Sequence, residues 1–371
     1  MVKILIVRLG ALGDILHALP AVTAMRAALP EADIGWVVEE SWLELLSTRE
    51  TAASHELSAQ KPVVNRIHAV NTKRWRKVML HPSTTAEIKA VFSEIRGCGY
   101  DLAIDFQGAI KSALCAAFGK PKRIAGFADP REWSAHFFYS QRFPRVGEHV
   151  IEQNFALVQQ SFALIQQALV EQALAASALT QHSGGSELPL TAPLLPRDFA
   201  AEAWAEAEIQ RLGIASFAVI NPGAGWGAKQ WPAERFGEVA KALAVHNLKT
   251  LVNAGPAEES MADAVVRASG GNAFPLRCSI GQLIAIMRRA RLAIAGDTGP
   301  LHLAAALGVR TVGLYGPTDP ARTGPFGAPG VALRHPESQT TSSHHSHPED
   351  GLLKITTEEV IAAARRLLGS S

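Results

Sequence analysis

The sequence predicts an α/β protein of two doubly wound halves, each a mostly parallel sheet covered by helices. Three observations predict it. Short β-branched runs alternate with helical stretches along most of the chain, as strands joined by crossover helices do. At 371 residues the chain is too long for one hydrophobic core. The alternation breaks over residues 181–197, where Ser, Gly, Pro and Leu occur without periodicity, as in a linker. The expected division is 1–190 and 191–371.

Residues 3–7 read as a first strand ending in the Gly-containing loop 9–13. An apolar helical stretch follows to about 29, with Pro20 near its start or as a kink. Strands are expected at 34–38, 66–70, 102–106 and 123–127, with helices at 85–96 and 109–117 between them. Residues 151–176 form one long helix with a wet, Gln-rich face. Beyond the linker, strands at 217–221, 250–253, 292–295 and 311–315 alternate with helices at 233–244, 258–268, 280–290 and 300–307. Phe236, Val239, Ala240 and Leu243 share one helical face. Residues 330–351 look irregular, a surface loop. Thr356 and Glu359 then form a capping box for a last helix, 356–369, expected to pack back on the N-terminal half.

Composition narrows the function. Hydrophobic residues at 47% and charged residues at 19% suit a packed globular protein rather than a disordered one. A net charge of +2 argues against a nucleic-acid partner, so any anionic ligand must meet a local patch. Cys98, Cys115 and Cys278 form no CxxC pair and fit a reducing compartment. Arg8 and Asp14 interrupt the N-terminal apolar run, which reads as a strand rather than a signal peptide. No run of 18 apolar residues offers a transmembrane segment, and the cytoplasm is the expected compartment.

The densest chemical signal is the stretch 296–316, GDTGPLHLAAALGVRTVGLYG. An apolar strand ends in Gly-Asp-Thr-Gly and a helix opens at Pro300. This aims the N–H groups of residues 298–301 at a helix N-terminus, where an anion is favoured. An ordinary strand–turn–helix with Asp297 as a cap would share the pattern. The stretch 221–231, NPGAGWGAKQW, supplies Gly223, Gly225 and Gly227 for close backbone approach and Lys229 as a point charge for a phosphate oxygen. Together the two loops describe a diphosphate pinched between strand ends. Glu258, just past another strand, suits the vicinal hydroxyls of a ribose or simply the first turn of a helix. Asp14, at the first strand end, can take a proton from a sugar hydroxyl or cap the helix it opens. Residues 73–77, KRWRK, put Lys73, Arg74, Arg76 and Lys77 around Trp75, either a compact anion-binding patch or a solvated face. No Asp-x-Asp pair occurs, so no dedicated metal site for a nucleotide diphosphate is expected. His344, His345 and His347 read as a polar loop tip rather than zinc ligands.

At these residues the sequence resembles glycosyltransferase family 9, the ADP-heptose:lipopolysaccharide heptosyltransferases. The run 297–327, DTGPLHLAAALGVRTVGLYGPTDPARTGPFG, carries the family's hallmark, and 13–20, GDILHALP, matches its opening motif. Four further stretches are most similar to the branch that adds the first heptose to Kdo-lipid A. They are WVVEE (36–40), RWRK (74–77), DFQGAIKSAL (105–114) and DPREW (129–133). The resemblance implies a GT-B fold of two Rossmann-like domains facing a central cleft, and an inverting transfer from ADP-heptose to Kdo that needs no cofactor or metal. It implies Asp14 as base, with Gly225, Lys229, Glu258, Asp297, Thr298, Gly299 and His302 on the donor. Lys73, Arg74, Arg76, Lys77, Gln107, Lys111 and Arg131 would meet the acceptor, Kdo-lipid A, at the inner membrane surface. The chain departs from the enteric form at Ala224 and Gly225, where hydroxyl side chains would contact the phosphates. Three alternatives remain open: another family 9 transferase acting on an already heptosylated core, a nucleotide-sugar epimerase or hydrolase of the same fold, or a non-catalytic nucleotide-binding module.

Overall fold

The computed structural model describes residues 1–78, 81–175, 188–255, 257–341 and 345–369, with side chains undescribed at 172–175. In chain order the first unit contains β1 (Lys3–Val7), α1 (Leu12–Ala28), β2 (Asp33–Glu39), β3 (Arg66–Val70), α2 (Thr72–Lys77), α3 (Pro82–Cys98) and β4 (Leu102–Asp105). It continues with α4 (Ile110–Phe118), β5 (Arg123–Phe127), β6 (Gln141–Phe143) and α5 (Val150–Ala175). The second unit opens with α6 (Phe199–Arg211), β7 (Phe217–Asn221), α7 (Ala233–Ala244), β8 (Lys249–Asn253), α8 (Glu259–Ala268) and β9 (Ala273–Leu276). There follow α9 (Ile280–Met287), β10 (Leu292–Gly296), α10 (Gly299–Ala306), β11 (Arg310–Tyr315) and α11 (Pro320–Thr323). It closes with β12 (Gly330–Arg334), α12 (Asp350–Lys354) and α13 (Thr357–Gly369).

The two units span Met1–Arg197 and Asp198–Ser371, dividing at the end of the stretch 181–197. Each holds one parallel sheet, ordered β3-β2-β1-β4-β5-β6 in the first and β12-β11-β10-β7-β8-β9 in the second. Counted from the first strand of each unit, the two orders are the same. The order reverses beside β1 and β4 in one sheet and beside β7 and β10 in the other. Open α/β sheets bind ligands outside the carboxyl ends of strands at such a reversal.

The central strands explain their own placement. β7 and β10 are buried at every residue, and β1 at all but Lys3, as parallel strands covered by helices on both faces must be. Phe236, Val239, Ala240 and Leu243 of α7 are buried against β7 and β8 as their spacing predicts. Two expectations need correction. Residues 330–351 are not irregular throughout, since β12 pairs with β11 in register from Thr311↔Gly330 and α12 follows. Val360, Ala363, Ala364 and Leu367 of α13 join the core of the second unit, against α7 and β11, because that stripe completes the cover of its sheet. The run 73–77 is not simply a charged face, because it forms α2 and buries Trp75 in the first core.

Candidate functional site

At the reversal of the second sheet, β7 ends in Asn221 and its loop is tied from within. The Asn221 amide donates to the Gly223 carbonyl (2.8 Å) and accepts from the Asn253 amide at the end of β8 (2.6 Å). Glu258, at the start of α8, accepts from the Gly255 N–H (2.9 Å), and its carboxylate lies where a Gly223 Cβ would be. Any side chain at 223 would collide with it, so this glycine serves close approach. Gly225 is exposed with open space around it.

Lys229 reaches β10 from the far side of this loop. Its Nζ donates to Asp297 Oδ2 (2.6 Å) and to the Asp297 carbonyl (3.3 Å), and stands 4.7 Å from the centre of the Trp226 ring. His302, one turn into α10, lies with Nε2 3.0 Å from Asp297 Oδ1. Burial pushes the Asp297 carboxyl up, but the hydrogen bond and charge of His302 and the charge of Lys229 outweigh it and hold Asp297 well below the usual carboxylate range. Asp297 is thus a permanent anion between two basic groups, rather than the cap that the turn alone allows. Thr298 stands at the N-cap of α10, and its side chain turns back to the Gly296 carbonyl (3.2 Å). The Thr298 carbonyl takes the Leu301 N–H (3.1 Å), and proline has no N–H at 300. The anion-facing backbone therefore narrows from the expected residues 298–301 to Thr298 and Gly299.

The segment 345–349 backs the Lys229 loop. The Ala228 N–H donates to the His345 carbonyl (3.1 Å) and the Glu349 N–H to the Ala228 carbonyl (3.2 Å). Gly227 lies against the Ser346 carbonyl with no room for a Cβ. His345 and His347 line an open cavity of about 860 Å³ beside Ala228, together with Glu337, Asp350 and Lys354. His344 lies outside the described residues.

In the first unit, β1 and β4 end side by side. Asp14 is the third residue of α1, where its Oδ2 accepts from the Ala11 N–H (3.0 Å) and its Oδ1 pairs with Arg8 (2.7 Å). Arg8 is itself fixed by the Phe106 carbonyl (2.7 Å). The Asp14 side chain remains 39% exposed. Gln107 is buried, and its side-chain oxygen accepts from the Leu9 N–H (3.0 Å), so it braces the Asp14 loop. Buried Asp105 accepts from Tyr139 Oη (2.7 Å), Ser112 Oγ (2.8 Å) and the Gln107 N–H (2.8 Å).

Lys73, Arg76, Lys77, Lys111 and Arg131 are exposed, the first three on α2 and Lys111 in the first turn of α4. Arg74 is not one of four free cations. It pairs with Glu87 of α3, which also accepts from Trp75 Nε1 (3.0 Å). Sequence reasoning missed Arg8, Trp226 and the Asn221–Asn253 link. Of these, only Arg8 carried a signal, a cation inside an otherwise apolar strand end.

The family model described as "Glycosyltransferase family 9 (heptosyltransferase)" matches residues 88–352. Lipopolysaccharide heptosyltransferase 1 of Pseudomonas aeruginosa is 30% identical over 89% of this chain and 83% of its own. The solved structure of E. coli heptosyltransferase WaaC with ADP is 25% identical with a TM-score of 0.73, covering 98% of this chain and 99% of that one. E. coli ADP-heptose lps heptosyltransferase II, at 19% identity and a TM-score of 0.72 over 99% and 98%, shares the fold. Two six-stranded parallel sheets with this common order are a GT-B fold. The chain is a glycosyltransferase and belongs to family 9, the heptosyltransferases.

Proposed function

We propose that the chain transfers L-glycero-D-manno-heptose from ADP-heptose to a Kdo residue of Kdo-lipid A, inverting the anomeric carbon. The observation that carries the reading is the junction of Lys229, Asp297 and His302 between the Gly-rich loop and the opening of α10. An ammonium has three donors. Two of those on Lys229 go to Asp297, and the third is left for an oxygen of the donor diphosphate. Glu258 takes the ribose hydroxyls of the adenosine. Thr298 and Gly299 present backbone to the phosphates, and His302 with Asp297 flanks the heptose.

In the first unit Asp14 is the base. It accepts the proton of a Kdo hydroxyl as that oxygen bonds to the anomeric carbon, and the bond to ADP breaks with its electron pair leaving on the diphosphate. Lys229 and the N-terminus of α10 stabilise the charge that grows there. With no Asp-x-Asp pair in the sequence, no step is assigned to a metal. On this reading Lys73, Arg76, Lys77, Lys111 and Arg131 meet the Kdo carboxylates and lipid A phosphates, and the protein works at the cytoplasmic face of the inner membrane.

Lys229→Ala tests the donor half. It should lower kcat about 100-fold or more with ADP-heptose, the scale of losing one preorganised charge on a leaving group. Lys229→Arg should recover only part, since a planar fork replaces a point ammonium. A wild-type rate in Lys229→Ala would show that the loop only supports the fold.

A further inference from the structure

Between β5 and β6 the chain makes a 3-10 turn, Trp133–Phe138, whose pattern of burial is inverted for its large residues. Ala135 is fully buried, and the next anchor, Tyr139, sends its hydroxyl to buried Asp105 at 2.7 Å. The turn is braced again by His136 Nδ1, 2.6 Å from the Trp133 carbonyl. On this fixed base Phe138 packs against the core of the first unit, while Trp133 and Phe137 are turned to solvent. Trp133 is 69% exposed and Phe137 68% exposed. Their rings meet edge to face at 4.9 Å, with the His136 ring 4.4 Å from Trp133 and 4.3 Å from Phe137. A single exposed apolar residue needs no explanation, but a preorganised aromatic cluster held in water does.

The neighbouring turn enlarges the patch. Glu132 accepts from the Ile110 N–H at 2.9 Å and donates its own N–H to the Gly108 carbonyl at 2.8 Å, which joins the first turn of α4 to Trp133. Ile110 is itself exposed. Lys111 and Arg131 flank these apolar groups, are exposed, and make no ion pair among the described residues. Because β4 and β5 are parallel, both turns leave the carboxyl end of the first sheet, the end that also bears Asp14.

Amphipathic aromatic rings ringed by cations match the headgroup zone of an anionic bilayer, where tryptophan is favoured and basic side chains meet lipid phosphates. We propose that Ile110, Trp133 and Phe137, with Lys111 and Arg131, form the face by which this chain docks on an anionic lipid surface. The inference rests on the reading that the acceptor is a membrane lipid, and gives that reading a surface. Docking here would present the carboxyl end of the first sheet to the bilayer, where an acceptor sugar carried on lipid A stands.

The test is co-sedimentation of the full chain with vesicles of phosphatidylglycerol and phosphatidylethanolamine, and with phosphatidylcholine alone. Wild type should pellet with the anionic vesicles and less with phosphatidylcholine. Trp133→Ser with Phe137→Ser should bind the anionic vesicles at least ~10-fold more weakly, as expected for losing two inserted aromatic groups. Phe137→Ser alone, the milder change, should fall between, and unchanged far-UV circular dichroism would establish that both variants are folded. Failure of wild type to pellet, or equal pelleting by wild type and the double variant, would overturn the proposal. So would a wild-type dimer that the double variant dissolves, since the patch would then belong to a second copy of the chain. Vesicle binding needs no substrate, so an error in the acceptor assignment shows itself separately, as lack of turnover with a water-soluble Kdo acceptor.

Discussion

Both oxygens of Asp14 already accept one bond, from Arg8 and from the Ala11 N–H, yet a carboxylate oxygen has two lone pairs and the side chain is partly exposed. The residue is therefore oriented without being consumed. Asp14→Asn keeps the shape and, through its one oxygen, one of the two contacts, but removes the carboxylate that takes the proton, so kcat should fall at least ~100-fold while ADP binding by calorimetry stays within about twofold. Near-normal kcat would remove Asp14 from the chemistry. Asp297 gives a different prediction, because its carboxyl is held low by His302 and Lys229 against its burial. A carboxyl depressed in the folded state stabilises the protein at pH above its unfolded value, about 3.9, and that contribution is lost as pH falls below it. Asp297→Asn should lower the unfolding free energy at neutral pH by about 3 kcal/mol, since it strands a largely buried ammonium. It should also flatten the loss of stability below about pH 4, measured by denaturant titration at a series of pH values. A variant as acid-sensitive as wild type would mean that another carboxylate governs the acid limb.

At the scale of elements, the candidate donor loop is held from behind by the segment 345–349 through two main-chain hydrogen bonds and the close packing of Gly227 on Ser346. Gly227→Ala would force that packing apart, and should raise the KM for ADP-heptose about tenfold while leaving the acceptor KM alone, the signature of lost donor binding. An unchanged donor KM would mean that the loop keeps its place without the clasp. The two loops proposed to hold the donor were legible in the sequence as strand-end turns because their features are local. Gly223, Gly225 and Lys229 share one loop, and Asp297, Thr298, Gly299 and His302 share one turn. What joins them was not legible. The Lys229–Asp297 pair, the Asn253–Asn221 link and the Arg8–Phe106 contact each bridge residues far apart in the chain, and no periodicity encodes a partner. Short edge elements were hidden for other reasons. β9 contains Pro275, which an edge strand tolerates but which reads as a breaker, and β12 opens a stretch rich in turn residues. α2 was concealed by its charges, four cations around the one residue, Trp75, that faces the core.

For the whole molecule, the repeated strand order puts one reversal in each unit, and the candidate base and the donor-binding group stand each at its own. In the proposed transfer, charge on the departing diphosphate is met by Lys229 and the opening of α10. Activity should survive excess EDTA nearly intact. Complete loss, restored by a divalent ion, would contradict that account. The proposed acceptor side relies on cations meeting an anionic lipid, so Arg76→Ala with Lys77→Ala should raise the acceptor KM and flatten its salt dependence, with the ADP-heptose KM unchanged. An acceptor KM unchanged at low salt would leave α2 as a solvated face. The central claim is one transfer between two named substrates. Its most direct test is to incubate the purified chain with ADP-heptose and either Kdo-lipid A or the same lipid already carrying its first heptose, and to weigh the products by mass spectrometry. The account predicts that Kdo-lipid A gains the mass of one heptose as ADP is released, while the pre-heptosylated lipid is unchanged. Gain of mass on the heptosylated lipid alone, or consumption of ADP-heptose with no change in either acceptor, would contradict it.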